Sequence, residues 1–111
     1  MNDAVQSAII NYILKLKHSH VKEFYPDTIR GHFSQYQILP NFDHLISSAI
    51  DKLVKQGQII KKYLVYNPEN VRERKIFTRK ADIPEEIDFD FVTIYVEQDS
   101  IETVYSFEKK A

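Results

Sequence analysis

The sequence predicts an α+β fold, with three helices in its first half and β-hairpin strands in its second. Three observations lead there. Apolar residues recur at helical spacing in three stretches up to Val54. A glycine, Gly57, closes the third stretch. Beyond it, β-branched and aromatic residues replace the helical pattern.

The first helix is read from Val5, Ala8, Ile9, Tyr12, Ile13 and Leu16, which fall on one face. Asp3 with Gln6 fits a capping box at its start, and Lys15, Lys17 and His18 suit the negative end of its dipole. A second helix is expected to begin near Pro26 and Asp27 and to turn Ile29, Phe33 and Tyr36 inward, since proline is tolerated in a first turn. Gly31 within it either shortens the helix or lets another helix approach closely. Gln37 to Pro40 then read as a connection, and Asn41 as the N-cap of a third helix. That helix presents Phe42, Leu45, Ile46, Ala49, Ile50, Leu53 and Val54 to a core. Its opposite face shows Asp43, His44, Ser47, Ser48, Asp51, Lys52 and Lys55.

Gln58 to Tyr66 read as a strand, Asn67 to Asn70 as a turn, and Arg74 to Arg79 as the returning strand. Together they form a hairpin rimmed with basic side chains. After Pro84 the run Ile87 to Val96 reads as one further strand, and Glu97 to Ser100 as a turn. Ile101 to Phe107 is its partner strand or a short helix, because Asp99 with Glu102 also matches a capping box. Composition tips the choice toward a strand.

At 111 residues the chain suits one domain, spanning 1–111, with a core and hairpin over 3–80 and an acidic, aromatic β extension over 82–111. Apolar residues make up 43% and aromatics 13%, enough for a packed interior. There is no cysteine, hence no disulfide and no thiolate metal site. No apolar run approaches a membrane span, and the first residues lack a basic-then-apolar pattern, so the cytoplasm is the expected compartment.

The net charge of −1 conceals a sharp asymmetry. Residues 1–54 sum to zero, residues 55–80 to +6, and residues 81–111 to −7. A basic block followed by an acidic one points to an interaction surface, or to one block covering the other. Catalysis finds no foothold. Ser47 and Ser48 stand near His44 without the flanking glycines of a nucleophile elbow. Two glycines in the whole chain leave no phosphate-cradling loop. His18 and His20 diverge along a helix, and Glu85, Glu86, Asp88 and Asp90 lack the ligand spacing of a calcium loop. No enzyme activity, cofactor or metal is expected.

Leu45 to Ile60, read as Leu-Ile-Ser-Ser-Ala-Ile-Asp-Lys-Leu-Val-Lys-Gln-Gly-Gln-Ile-Ile, carries a resemblance. A leucine-rich helix that stops at glycine and runs straight into a strand resembles the third helix of the winged helix-turn-helix superfamily. The likeness covers roughly residues 3–80 and implies a three-helix winged helix-turn-helix core with a β-hairpin wing, followed here by a C-terminal β extension. In that superfamily exposed residues of the third helix commonly enter the DNA major groove while the wing touches the backbone. The resemblance thus implies double-stranded DNA as partner, with His44, Ser47, Ser48, Lys52 and Lys55 on the helix and Lys61, Lys62, Arg72, Arg74 and Lys75 on the wing. The expected function is a small regulator of transcription or replication that acts by occupying a site. Asp43 and Asp51, and the absence of arginine from the helix, depart from the pattern. The alternative is a protein-interaction module whose acidic residues 82–108 engage, and inhibit, a basic or nucleic-acid-binding partner.

Read as one strand, Ile87 to Val96 is apolar on both faces: Phe89, Phe91 and Tyr95 share one, and Val92, Ile94 and Val96 the other. Such a strand needs cover on both sides. Self-association as a two-fold dimer through Phe89, Phe91, Ile94 and Tyr95 is therefore expected, against a rival in which the strand packs on its own domain.

Overall fold

The computed structural model describes residues 2–107. It has three helices and antiparallel strands, an α+β chain. In order these are α1 (Asn2–His18), β1 (Glu23–Phe24), α2 (Pro26–His32), α3 (Phe42–Lys55), β2 (Ile60–Asn67), β3 (Asn70–Phe77), β4 (Glu86–Phe89), β5 (Val92–Tyr95) and β6 (Ile101–Ser106). The chain divides into two compact units, residues 61–104 on one hand and the residues before and after them on the other.

The first unit is built on α3. Phe42, Leu45, Ile46, Ala49, Ile50 and Leu53 are all buried on its inward face, as the spacing requires. Asn41 stands at its N-cap, although its side chain makes no capping hydrogen bond. At the other end the Gln58 N–H donates to the Leu53 carbonyl at 2.9 Å and the Gly57 N–H to the Val54 carbonyl at 3.0 Å. These two bonds make a Schellman motif, which needs Gly57 in the left-handed region, at φ +73°. Gly57→Ala is expected to lower stability by about 1 kcal/mol, read from the urea midpoint, because Cβ is strained at that φ. An unchanged midpoint would mean that the turn has another conformation.

In α1 the buried stripe is Val5, Ile9 and Ile13, with Tyr12 and Leu16 half-buried. Ala8, expected inward, is exposed; it lies about 100° round the helix from Ile9. The helix already includes Asn2, so Asp3 sits inside the first turn rather than at a cap. Gln6, its expected capping partner, instead accepts a 2.8 Å hydrogen bond from Lys52 Nζ. At the far end Lys17 Nζ donates to Gln58 Oε1 at 2.6 Å.

α2 is shorter than expected and ends at His32, followed by a 3₁₀ turn at Ser34–Tyr36. Phe33 remains buried, and its ring meets Tyr12 edge-on at 5.7 Å. Nothing lies within 4 Å of a Cβ placed on Gly31, so no helix approaches closely there. The two-residue strand β1 had no sequence signal. It pairs with the end of β6 through Glu23↔Ser106 and Phe24↔Tyr105, and the Phe24 ring stacks on Tyr105 at 5.5 Å.

In the second unit the strand order is β6-β2-β3, with β4 and β5 forming a separate hairpin. Val65, Ile87 and Phe89 make its core, and Phe77, Ile83, Val92, Ile94, Val96 and Ile101 pack against them. The returning strand β3 begins four residues before Arg74, its expected start, and ends at Phe77. Its register with β2 shifts between Tyr66↔Arg74 and Asn67↔Asn70. Ile101–Ser106 is a strand, but it lies beside β2 and not beside the Ile87 to Val96 run. The capping box near it is Glu97 with Ser100, at a short 3₁₀ turn, and not Asp99 with Glu102.

The Ile87 to Val96 run is two strands, not one. It turns at Asp90–Phe91, with Phe89↔Val92, Asp88↔Thr93, Ile87↔Ile94 and Glu86↔Tyr95 as partners. Folding back restores a clean alternation. Ile87, Phe89, Val92 and Ile94 face the core, while Glu86, Asp88, Thr93 and Tyr95 face out. Among the described residues no helix is long and apolar enough to cross a membrane.

Candidate nucleic-acid interface

The outward side of α3 carries four residues in one stripe, His44, Ser47, Asp51 and Lys55, all exposed, with Ser48 half-buried beside them. One negative and one positive group leave this stripe neutral. Asp43 lies off it. Arg30 Nε donates to Asp43 Oδ1 at 3.1 Å and the same guanidinium also pairs with Asp27. One guanidinium thus serves two carboxylates, and the Asp27–Arg30–Asp43 group keeps a net charge of −1. Lys52 is exposed, and its ammonium donates to Gln6 Oε1 on α1.

The connection between α2 and α3 spans nine residues, 33–41. A helix-turn-helix turn takes about 3–4. The expected connection, Gln37 to Pro40, is only the second part of this segment.

In the second unit the basic residues of β2 and β3 separate by environment. Lys61, Arg72 and Lys75 are exposed. Lys62 and Arg74 are half-buried, and each is engaged with another group. Lys61 Nζ stands 5.5 Å from the centre of the Tyr63 ring, which steadies it without cancelling its charge. Glu73 sits between Arg72 and Arg74 in sequence, yet its carboxylate accepts from Asn67 Nδ2 at 3.3 Å and from the Asp90 N–H at 3.4 Å. Glu73 is thus spent on holding the β3 irregularity and the β4–β5 turn.

Arg79, just beyond β3, is paired with Asp82 through bonds of 3.0 Å and 2.9 Å. Those hydrogen bonds hold the Asp82 carboxyl below its usual range and raise the guanidinium in turn. This pair is intramolecular and takes Arg79 out of the outward-facing charge.

Of the four residues expected to self-associate, Phe89 is 5% exposed and lies in the second core, where Ile94 also packs. Phe91 and Tyr95 are 96% and 74% exposed. Their different placement follows from the turn at Asp90–Phe91. Among the described residues no three His, Asp or Glu side chains gather as a metal site. A shallow depression is lined by Arg30, Ile38, Leu39, Pro40, Phe42 and Asp43, and Arg30 and Asp43 pair with each other there. Comparison with protein-family models, curated proteins and solved structures gives no match.

Proposed function

We propose that this chain is a small DNA-binding regulator of the winged-helix type, acting by occupying duplex DNA in transcription or replication. The observation that carries the reading is the outward charge of the β2–β3 hairpin. Lys61, Arg72 and Lys75 are exposed, and the nearest carboxylate in β3, Glu73, is turned onto Asn67 and the Asp90 N–H. Exposed cations of this kind supply phosphate contacts, the largest sequence-independent part of DNA affinity.

The order of helices, the Gly57 stop and the direct run into β2 support the winged-helix part of the proposal. Two features shape it. The strand that returns to β1 is β6, so residues 68–100 take the place of a plain wing tip. The α3 stripe is neutral, with Asp51 set to repel phosphate. Backbone contact through the hairpin is therefore the main source of affinity, and His44, Ser47, Ser48 and Lys55 supply a modest sequence preference.

The test is fluorescence anisotropy with a labelled mixed-sequence duplex across a salt series. Three phosphate contacts correspond to a log–log slope of about −2.7, from roughly −0.9 per contact on B-DNA. Replacing Arg72 and Lys75 with alanine is expected to weaken binding to every sequence alike and to flatten the slope by about 2. Ser47→Ala is expected to change preference among sequences and not the slope. Absence of binding at low salt, or affinity indifferent to salt, would remove the proposal.

A further inference from the structure

The β4–β5 hairpin has an outer face that the fold does not use. Glu86 lies opposite Tyr95 and Asp88 opposite Thr93 on that face, and all four side chains are exposed. Thr93 Oγ1 donates to Asp88 Oδ1 at 2.7 Å, which fixes the carboxylate. The Asp90–Phe91 turn stands at the tip, tied down by the Asp90 N–H to Glu73.

Phe91 is the anomaly. Its ring is 96% exposed, while the second core is complete from Ile87, Phe89, Val92 and Ile94 on the inner face. The backbone does not demand it either. No described non-glycine residue has positive φ, so any small polar residue suits this turn position. An apolar ring at the tip that neither packs nor shapes the chain, with a second exposed ring, Tyr95, at the other end of the same hairpin, marks a contact surface.

Charge decides what covers it. Glu86 lies opposite Tyr95, Asp90 adjoins Phe91 in the turn, Asp88 lies between these ends along β4, and all three are exposed. Phosphate, whether of DNA or of an anionic lipid headgroup, is repelled there. A second copy docking face to face would set carboxylate against carboxylate. Guanidinium groups meet both demands at once, since they stack on aromatic rings and take carboxylates bidentately. We propose that the outer face of the β4–β5 hairpin docks an arginine-rich segment of a protein partner. Phe91 and Tyr95 receive the guanidinium planes and aliphatic stems, and Glu86, Asp88 and Asp90 receive the charge.

The experiment uses the full chain and a fluorescein-labelled peptide of alternating arginine and serine, read by anisotropy, beside sedimentation of the chain alone. The peptide is expected to bind, and the same peptide with glutamate for arginine is not. Phe91→Ser with Tyr95→Ser should weaken binding roughly tenfold, as loss of an aromatic anchor does, with the circular dichroism spectrum unchanged. Glu86→Gln with Asp90→Asn should weaken it by a similar factor. Binding that survives removal of both rings would reduce the site to diffuse attraction and overturn the proposal, as would no binding of the arginine peptide. A dimer of the chain that Phe91→Ser disperses would make a second copy the occupant, and would overturn it too.

Discussion

Leu53→Ala is expected to cost the protein about 2–5 kcal/mol of folding stability, the range for truncating a buried leucine that leaves a cavity. Leu53 is 1% exposed and belongs to the last turn of α3 before its cap. It shares the first core with Val5, Ile9 and Ile13 of α1 and with Ile50 and Ile59. Its carbonyl also accepts the Gln58 N–H that closes the helix, so the backbone there is pinned on the C-terminal side of the deletion. A site pinned in this way collapses little around a lost side chain, which favours the upper part of the range. Urea unfolding followed by helical circular dichroism measures the change, with an unaltered m-value as the sign that only stability moved. Ser47→Ala, on the exposed stripe of the same helix, is the control and should stay within about 0.5 kcal/mol. A loss below about 1 kcal/mol for Leu53→Ala would mean that α3 presents a different face to the core.

The inward face of α3 is fully declared by its sequence. Six inward residues at helical spacing and a glycine at the stop agree with one another, and local agreement of this kind leaves few alternatives. The rest was legible only as far as it was local. β1 is two residues long, and what makes it a strand is Tyr105 and Ser106, some eighty positions away. Nothing in Glu23 and Phe24 announces that pairing. β6 was readable as a strand from its composition, but its place beside β2 is set by long-range packing, which composition does not encode.

The candidate site shows the same division. The cations were countable in the sequence, but their availability was not. Arg79 faces Asp82 three residues on, Arg30 is shared between Asp27 and Asp43, and Glu73 is diverted to Asn67 and Asp90. Of the five wing cations expected from the resemblance, Lys62 and Arg74 are half-buried and engaged, which leaves Lys61, Arg72 and Lys75 exposed. The turn at Asp90–Phe91 escaped for a different reason. Two-residue hairpin loops usually announce themselves through Gly or Asn at positive φ. This one has neither, because its residues keep negative φ, and an Asp-Phe pair inside an apolar run reads as continuing strand.

Phe89→Ala and Phe91→Ala therefore make a decisive pair. On one continuous strand the two rings share a face, and truncating either should have a comparable effect. In the hairpin they part company. Phe89 lies in the second core with Val65 and Ile87 at 5% exposure, whereas Phe91 stands at the turn at 96%. Loss of a buried phenylalanine costs about 3–5 kcal/mol, and this unit has few other residues with which to fill the space. Phe89→Ala is expected at that level, enough to unfold the Lys61–Val104 unit in a marginally stable chain. Phe91→Ala should stay within about 0.5 kcal/mol, the usual range for an exposed position. Thermal unfolding followed by near-ultraviolet circular dichroism of the tyrosines reads both variants under one condition. Equal losses for the two would restore the single strand and bury the face on which arginine docking depends.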